Sequence, residues 1–131
     1  FYSSCSNTIM LRLIVCFFVV VVFSFATIIP LCGEMFNCGC TLFEGMQHCN
    51  VHNIEKPHCP WCSYGFPFFA GQLGLVLTGT GFIIWTALNW IRPALWLGLL
   101  AGLIGYLLLS SLVGLGTVLY VGYPSFYGFR M

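Results

Sequence analysis

Residues 9–31, IMLRLIVCFFVVVVFSFATIIPL, decide the fold: twenty-three residues broken by one charge, Arg12, near the start. At about 1.5 Å per residue such a run covers roughly 34 Å as a helix, enough to cross a hydrocarbon core of ~30 Å. Its Val/Phe centre, Phe17 to Phe25, has no amphipathic stripe, which suits a helix surrounded by lipid or protein. Met10-Leu11-Arg12 before an apolar run also resembles the opening of a secretory signal peptide. The run is long for that role, however, and Ile29-Pro30-Leu31 offers no small-residue cleavage site, so an uncleaved anchor is expected.

Two further apolar runs follow, about 66–90 and 94–121, separated only by Ile91-Arg92-Pro93. This spacing predicts a tight helical hairpin, with Pro93 in the first turn of its second helix, where the missing N–H costs nothing. Trp90 and Trp96 flank the turn; Trp61 and Tyr64 lie at the hairpin's other end, opposite Tyr120, Tyr123 and Tyr127, as two interfacial aromatic belts would. The expected fold class is therefore an all-α integral membrane protein with three transmembrane helices. Along the chain come an N-terminal tail (1–8), the first helix (9–31), a Cys/His-rich extramembrane loop (32–65), the hairpin (66–121) and an aromatic tail (122–131).

Composition agrees. Of 131 residues 60% are hydrophobic and 5% charged, where a soluble domain carries roughly a quarter. Mean hydropathy is +0.97. Four basic and three acidic side chains provide no basic patch for nucleic acid, so none is expected as a partner. The second and third runs hold no Asp, Glu, Lys, Arg or His, which argues against a pump, transporter or channel. They are rich in small residues instead: Gly71, Gly74, Thr78, Gly79, Thr80 and Gly81, then Gly98, Gly102, Gly105, Gly114 and Gly116. Gly98 and Gly102 have the GxxxG spacing that lets helix backbones approach closely. The lipid bilayer and other membrane subunits, docked on these Gly-rich faces, are the expected partners. Arg12 and Arg92 fall on one side of the membrane, Lys56 and Arg130 on the other, a tie for the positive-inside rule. Because Arg12 flanks a span and Arg130 is terminal, the Cys-rich loop is expected on the exoplasmic (periplasmic or lumenal) side.

That loop reads C-x5-C-x-C-x8-C-x9-C-x2-C, with Cys32, Cys38, Cys40, Cys49, Cys59 and Cys62, and also carries His48, His52 and His58. Few apolar residues support it, so it needs cross-links to hold a shape. A metal site is the leading reading. Cys38 and Cys40 with the Cys59-Pro60-Trp61-Cys62 knuckle could surround Zn, Fe or Cu, with Cys49, His48, His52 and His58 as further ligands. Disulfides are the plain alternative, with fifteen possible connectivities among six cysteines; Cys32 with Cys49 is one candidate pair beside a metal. Thiol–disulfide exchange is the third. A C-x2-C at the N-terminus of a membrane helix gains thiolate character from the helix dipole, and Cys59 and Cys62 precede the second span. In this the chain resembles the quinone-coupled disulfide-forming membrane proteins of the vitamin K epoxide reductase class. The resemblance implies Cys59 and Cys62 as a quinone-facing pair and Cys38, Cys40 or Cys49 as shuttles. It covers these few residues and their position; that class has at least four spans, and no basic residue follows Cys62 here. Cys16, within the first run, reads as a small apolar residue.

No P-loop, G-x-S-x-G or H-E-x-x-H occurs. Together these features point to a small, non-catalytic accessory subunit of a larger membrane complex, capped by a cross-linked Cys/His loop; the alternative is a membrane thiol–disulfide oxidoreductase using Cys59 and Cys62.

Overall fold

The structure, a computed structural model, describes residues 2–40, 58–91 and 94–131, with side chains for 8–40, 58–90 and 94–131. The loop residues His48, Cys49, His52, Glu44, Glu55 and Lys56, and Arg92 and Pro93 of the hairpin turn, lie outside the described residues. Helix α1 runs Tyr2–Phe36, a one-turn α2 Pro60–Ser63, α3 Phe66–Thr86 and α4 Leu95–Val121; α3 passes into a π-helical turn, Ala87–Ile91. A two-stranded hairpin closes the chain, β1 Ser125–Phe126 paired antiparallel with β2 Phe129–Arg130. Three of these helices are long and apolar enough to cross a membrane: Thr8–Phe36, Phe66–Trp90 and Leu95–Val121. Their outer faces carry exposed Phe18, Phe25, Phe82, Leu108 and Leu112, as lipid-facing surfaces do.

The spans solve the polar-group problem locally. Several hydroxyls that would otherwise meet hydrocarbon find the carbonyl one turn back: Ser24 on Val20, Thr78 on Gly74, Thr80 on Val76 and Thr86 on Phe82, at 2.6–2.8 Å; the buried Ser110 hydroxyl has no partner among the described residues. Asn89 Nδ2 donates to Trp85 O in the same way.

Helix α1 does not stop at Leu31, the end expected for the first span, but runs through Pro30. Proline removes one bond, the N–H to the carbonyl of Ala26, and membrane helices tolerate that loss where neighbours re-satisfy the backbone. The helix continues to Phe36 with Pro30 inside it. Cys32 and Gly33 are therefore helical, and the segment between the helices begins at Asn37.

Two compact units divide the described chain: Phe1–Ser24 with Gly74–Leu109, and Phe25–Leu73 with Ser110–Met131. In the first, Gly98 and Gly102 of α4 admit side chains from α1 and α3. A Cβ on Gly102 would stand 2.9 Å from both Ile84 and Val20, and one on Gly98 3.0 Å from Cys16 Sγ and Leu88. The GxxxG pair thus serves packing within the chain. Cys16 is fully buried, its thiol 3.6 Å from Leu95 O. Phe23 meets Tyr106 edge-on.

The second unit has a core of Met35, Phe36, Trp61, Val118 and Tyr123 with the cysteines. Phe36 stands edge-on to both Trp61 and Tyr123, at 5.3 and 5.8 Å. Trp61 and Tyr123 are accordingly core residues, not the belt anchors their spacing suggested, whereas Tyr64, Trp90, Trp96 and Tyr120 are exposed. The C-terminal hairpin grips the end of α1. Tyr123 Oη donates to Phe36 O at 3.1 Å and the Tyr127 N–H to Met35 O at 2.8 Å. Tyr127 and Gly128, with φ of 47° and 78°, form the two-residue turn whose twist suits such a hairpin.

Candidate metal centre

Three separate segments deliver sulfur to one place in the second unit. The first is the last part of α1, which the continuation past Pro30 carries far enough to present Cys32. The second is the turn after α1. Asn37 and Gly39 both take positive φ, 49° and 82°, and fold Cys38 and Cys40 back against the helix end. This return needs Gly33, since a Cβ there would overlap Cys40 O. The third is α2, where Pro60 opens a single turn and the Cys59 carbonyl accepts from the Cys62 and Ser63 N–H groups at 3.1 and 2.9 Å. Cys59 caps that turn and Cys62 lies within it, and both sulfurs join Cys32 in one close group.

The resulting separations are tight. Cys32 Sγ lies 3.3 Å from Cys59 Sγ and 3.7 Å from Cys38 Sγ; Cys38 and Cys40 are 3.3 Å apart, and Cys40 and Cys62 4.0 Å. Cys32, Cys38, Cys40 and Cys59 are buried and Cys62 is half-buried. A disulfide needs about 2.05 Å, and no pair among the described residues comes that close. Four thiolates around one ion at about 2.3 Å would sit roughly 3.8 Å apart, the range seen here. The sulfurs form two groups that could hold a metal ion, Cys32 with Cys59 and Cys62, and Cys32 with Cys38 and Cys40, each within 4.8 Å throughout.

The electrostatics favour a thiolate at Cys38. The Cys32 thiol first, then those of Cys59 and Cys62, hydrogen-bond to it and hold it well below the usual thiol range, against the opposing effect of burial. All four residues expected from spacing, Cys38, Cys40, Cys59 and Cys62, are in the cluster. Cys32, expected as a disulfide candidate, stands at its middle, and its suggested partner Cys49 lies outside the described residues. His58 is exposed beside Cys59. Cys32 was expected as a disulfide candidate and not as a ligand because the first helix was expected to end at Leu31; its six-residue separation from Cys38 was the available signal.

Beside the sulfurs lies a cavity of about 420 Å³, lined by Phe25, Ile28, Trp61, Phe66 and Phe69 together with Cys32, Cys40 and Cys62. Trp61 Nε1 is buried with no acceptor among the described residues. No protein-family model, curated protein or solved structure matches the chain.

Proposed function

We propose that this chain is a non-catalytic, multi-pass subunit of a membrane assembly whose cap is held closed by a metal–thiolate centre. The observation that carries the reading is the convergence of five sulfurs, from α1, the turn after it and α2, at 3.3–4.0 Å in a buried cluster. Thiols are weak hydrogen-bonding groups and gain little by crowding one another. Bridged by a metal, they would tie three segments together with a free energy on the order of 10 kcal/mol. Cys38, Cys40, Cys59 and Cys62, joined by Cys32, are the proposed ligands, and Zn, Fe or Cu the metals that sulfur of this kind takes. The subunit reading draws on Gly71, Gly74 and Gly116, where an added Cβ would meet nothing within 4 Å, leaving close approach open to a neighbouring helix. The cap is placed on the exoplasmic side, with Arg12 and Arg92 facing the cytoplasm.

Elemental analysis of the purified chain tests the centre. At least one equivalent of Zn, Fe or Cu is expected, falling to background in Cys32→Ser/Cys59→Ser; a metal-free wild-type chain would sink it.

The cavity supports a second reading, a thiol oxidase. Cys40 and Cys62 both line the cavity and are 4.0 Å apart, whereas Cys59 does not line it. Two thiols there would join as a disulfide while a lipid-soluble quinone in the cavity took up both electrons and both protons. Replacing Cys40 alone should then trap a mixed disulfide on Cys62; an unchanged thiol profile excludes exchange.

A further inference from the structure

The five sulfurs that converge among the described residues are one more than a single four-coordinate ion uses, and their grouping suggests how the extra one is employed. Each group that could hold an ion is a triad, and Cys32 belongs to both. We infer that the centre holds two monovalent copper ions, each three-coordinate, bridged by the Cys32 sulfur. This rests on the metal–thiolate reading and specifies its metal and nuclearity.

Bond counting leads to copper. Four terminal sulfurs give one bond each and a bridging sulfur gives two, six in all, which saturates two three-coordinate ions. Two tetrahedral ions, as zinc prefers, need eight bonds. One tetrahedral zinc needs four and leaves a sulfur over. Three sulfurs around one ion at about 2.3 Å would lie roughly 4 Å apart, close to the 3.7 Å of Cys32 and Cys38. Among the described residues both triads consist of sulfur alone, a soft donor set that suits copper(I) as it suits zinc and iron–sulfur centres, and the bond count is what favours copper. Burial of Cys32, Cys38, Cys40 and Cys59 excludes the water that would favour a divalent oxidation state. Charge acts in the other direction: two copper(I) ions on five thiolates leave −3, against −2 for a divalent ion on four. Two additional metal–sulfur bonds offset that difference.

The full chain, purified in detergent and stripped of metal under reducing, oxygen-free conditions, is titrated with copper(I) against a coloured copper(I) chelator. The chain should withhold two equivalents before the chelator colours. X-ray absorption of the product should show a sulfur-only shell and a copper–copper path. Cys32→Ser should lose that path and at least one of the two equivalents. Cys16→Ser, whose sulfur contacts Leu95 O in the other unit, should keep both. Saturation at one equivalent, or absence of the copper–copper path in the wild-type chain, overturns the pair while leaving a mononuclear centre standing. A chain that binds none of copper(I), zinc and iron overturns the metal reading as well.

Discussion

A methyl group on Gly33 would overlap the carbonyl oxygen of Cys40, and backbone, unlike the far end of a side chain, has little room to yield. Gly33→Ala is therefore expected to displace the Cys38–Cys40 turn, at an overpacking cost of about 1–3 kcal/mol. It should lower the bound-metal stoichiometry and the thermal midpoint together. Normal metal content in this variant would show that the close approach is unimportant. Trp61 tests a different balance. Its indole N–H is buried without an acceptor among the described residues, which costs about 1–3 kcal/mol, while its ring packs on Phe36 and Phe69. Trp61→Phe gives up some volume but removes the orphan donor, so denaturant melts should find it close to wild type. Trp61→Ala should lose about 3–5 kcal/mol. At this scale Cys38, Cys40, Cys59 and Cys62 were legible because close Cys pairs advertise themselves by spacing. Cys32 was not, since its role depends on a helix running through a proline. Gly33 was not either, because nothing local shows what a distant backbone will press against it.

Among the elements, the three long helices could be read directly from apolar length, since a bilayer fixes how many residues a span needs. The π-helical turn at Ala87–Ile91 and the C-terminal hairpin could not. The hairpin turn uses Tyr127 at positive φ where Asn or Asp would be usual, so no turn signature marks it. The aromatic residues misled for a related reason: Trp and Tyr serve equally as interfacial anchors and as core, and only the fold shows Trp61 and Tyr123 packed on Phe36. The glycines divide in the same way. Gly102 receives Ile84 and Val20, whereas Gly116 has nothing near it. Gly102→Leu should destabilise the chain by at least about 1–3 kcal/mol through overpacking, lowering its thermal midpoint in detergent. Gly116→Leu should leave that midpoint unchanged and, if this face docks a partner helix, alter only co-purification of the partner. Equal melting of the two variants would contradict the packing described for α4.

For the molecule as a whole, a cap tied by thiolates and helices held by lipid should fail separately. Metal binding requires deprotonated thiolates, and protons compete for them, so affinity falls as pH falls. Acidification or a strong chelator should release the metal. Near-ultraviolet dichroism from the Phe36, Trp61 and Tyr123 cluster should then be lost, while the far-ultraviolet signal of the three long helices persists. Simultaneous loss of both signals would mean that the cap supports the spans. With three spans the cap and the C-terminus share a side of the membrane, so a reporter fused after Met131 that is active only outside the cytoplasm should score positive; the reverse result would invert the proposed orientation.

Cys32 shared between two triads also has a consequence in time. Translation proceeds from the N-terminus, so Cys32, Cys38 and Cys40 leave the ribosome before Cys59, and Cys62 follows Cys40 by 22 residues. At about 5–20 residues per second that is an interval of a second or more. During it the nascent chain, with α1 already made, owns one complete set of three sulfurs. The second set closes onto a sulfur that has been in place since the first. On the two-ion proposal the chain would begin loading while its own hairpin is still unmade, and the order of synthesis would become the order of filling.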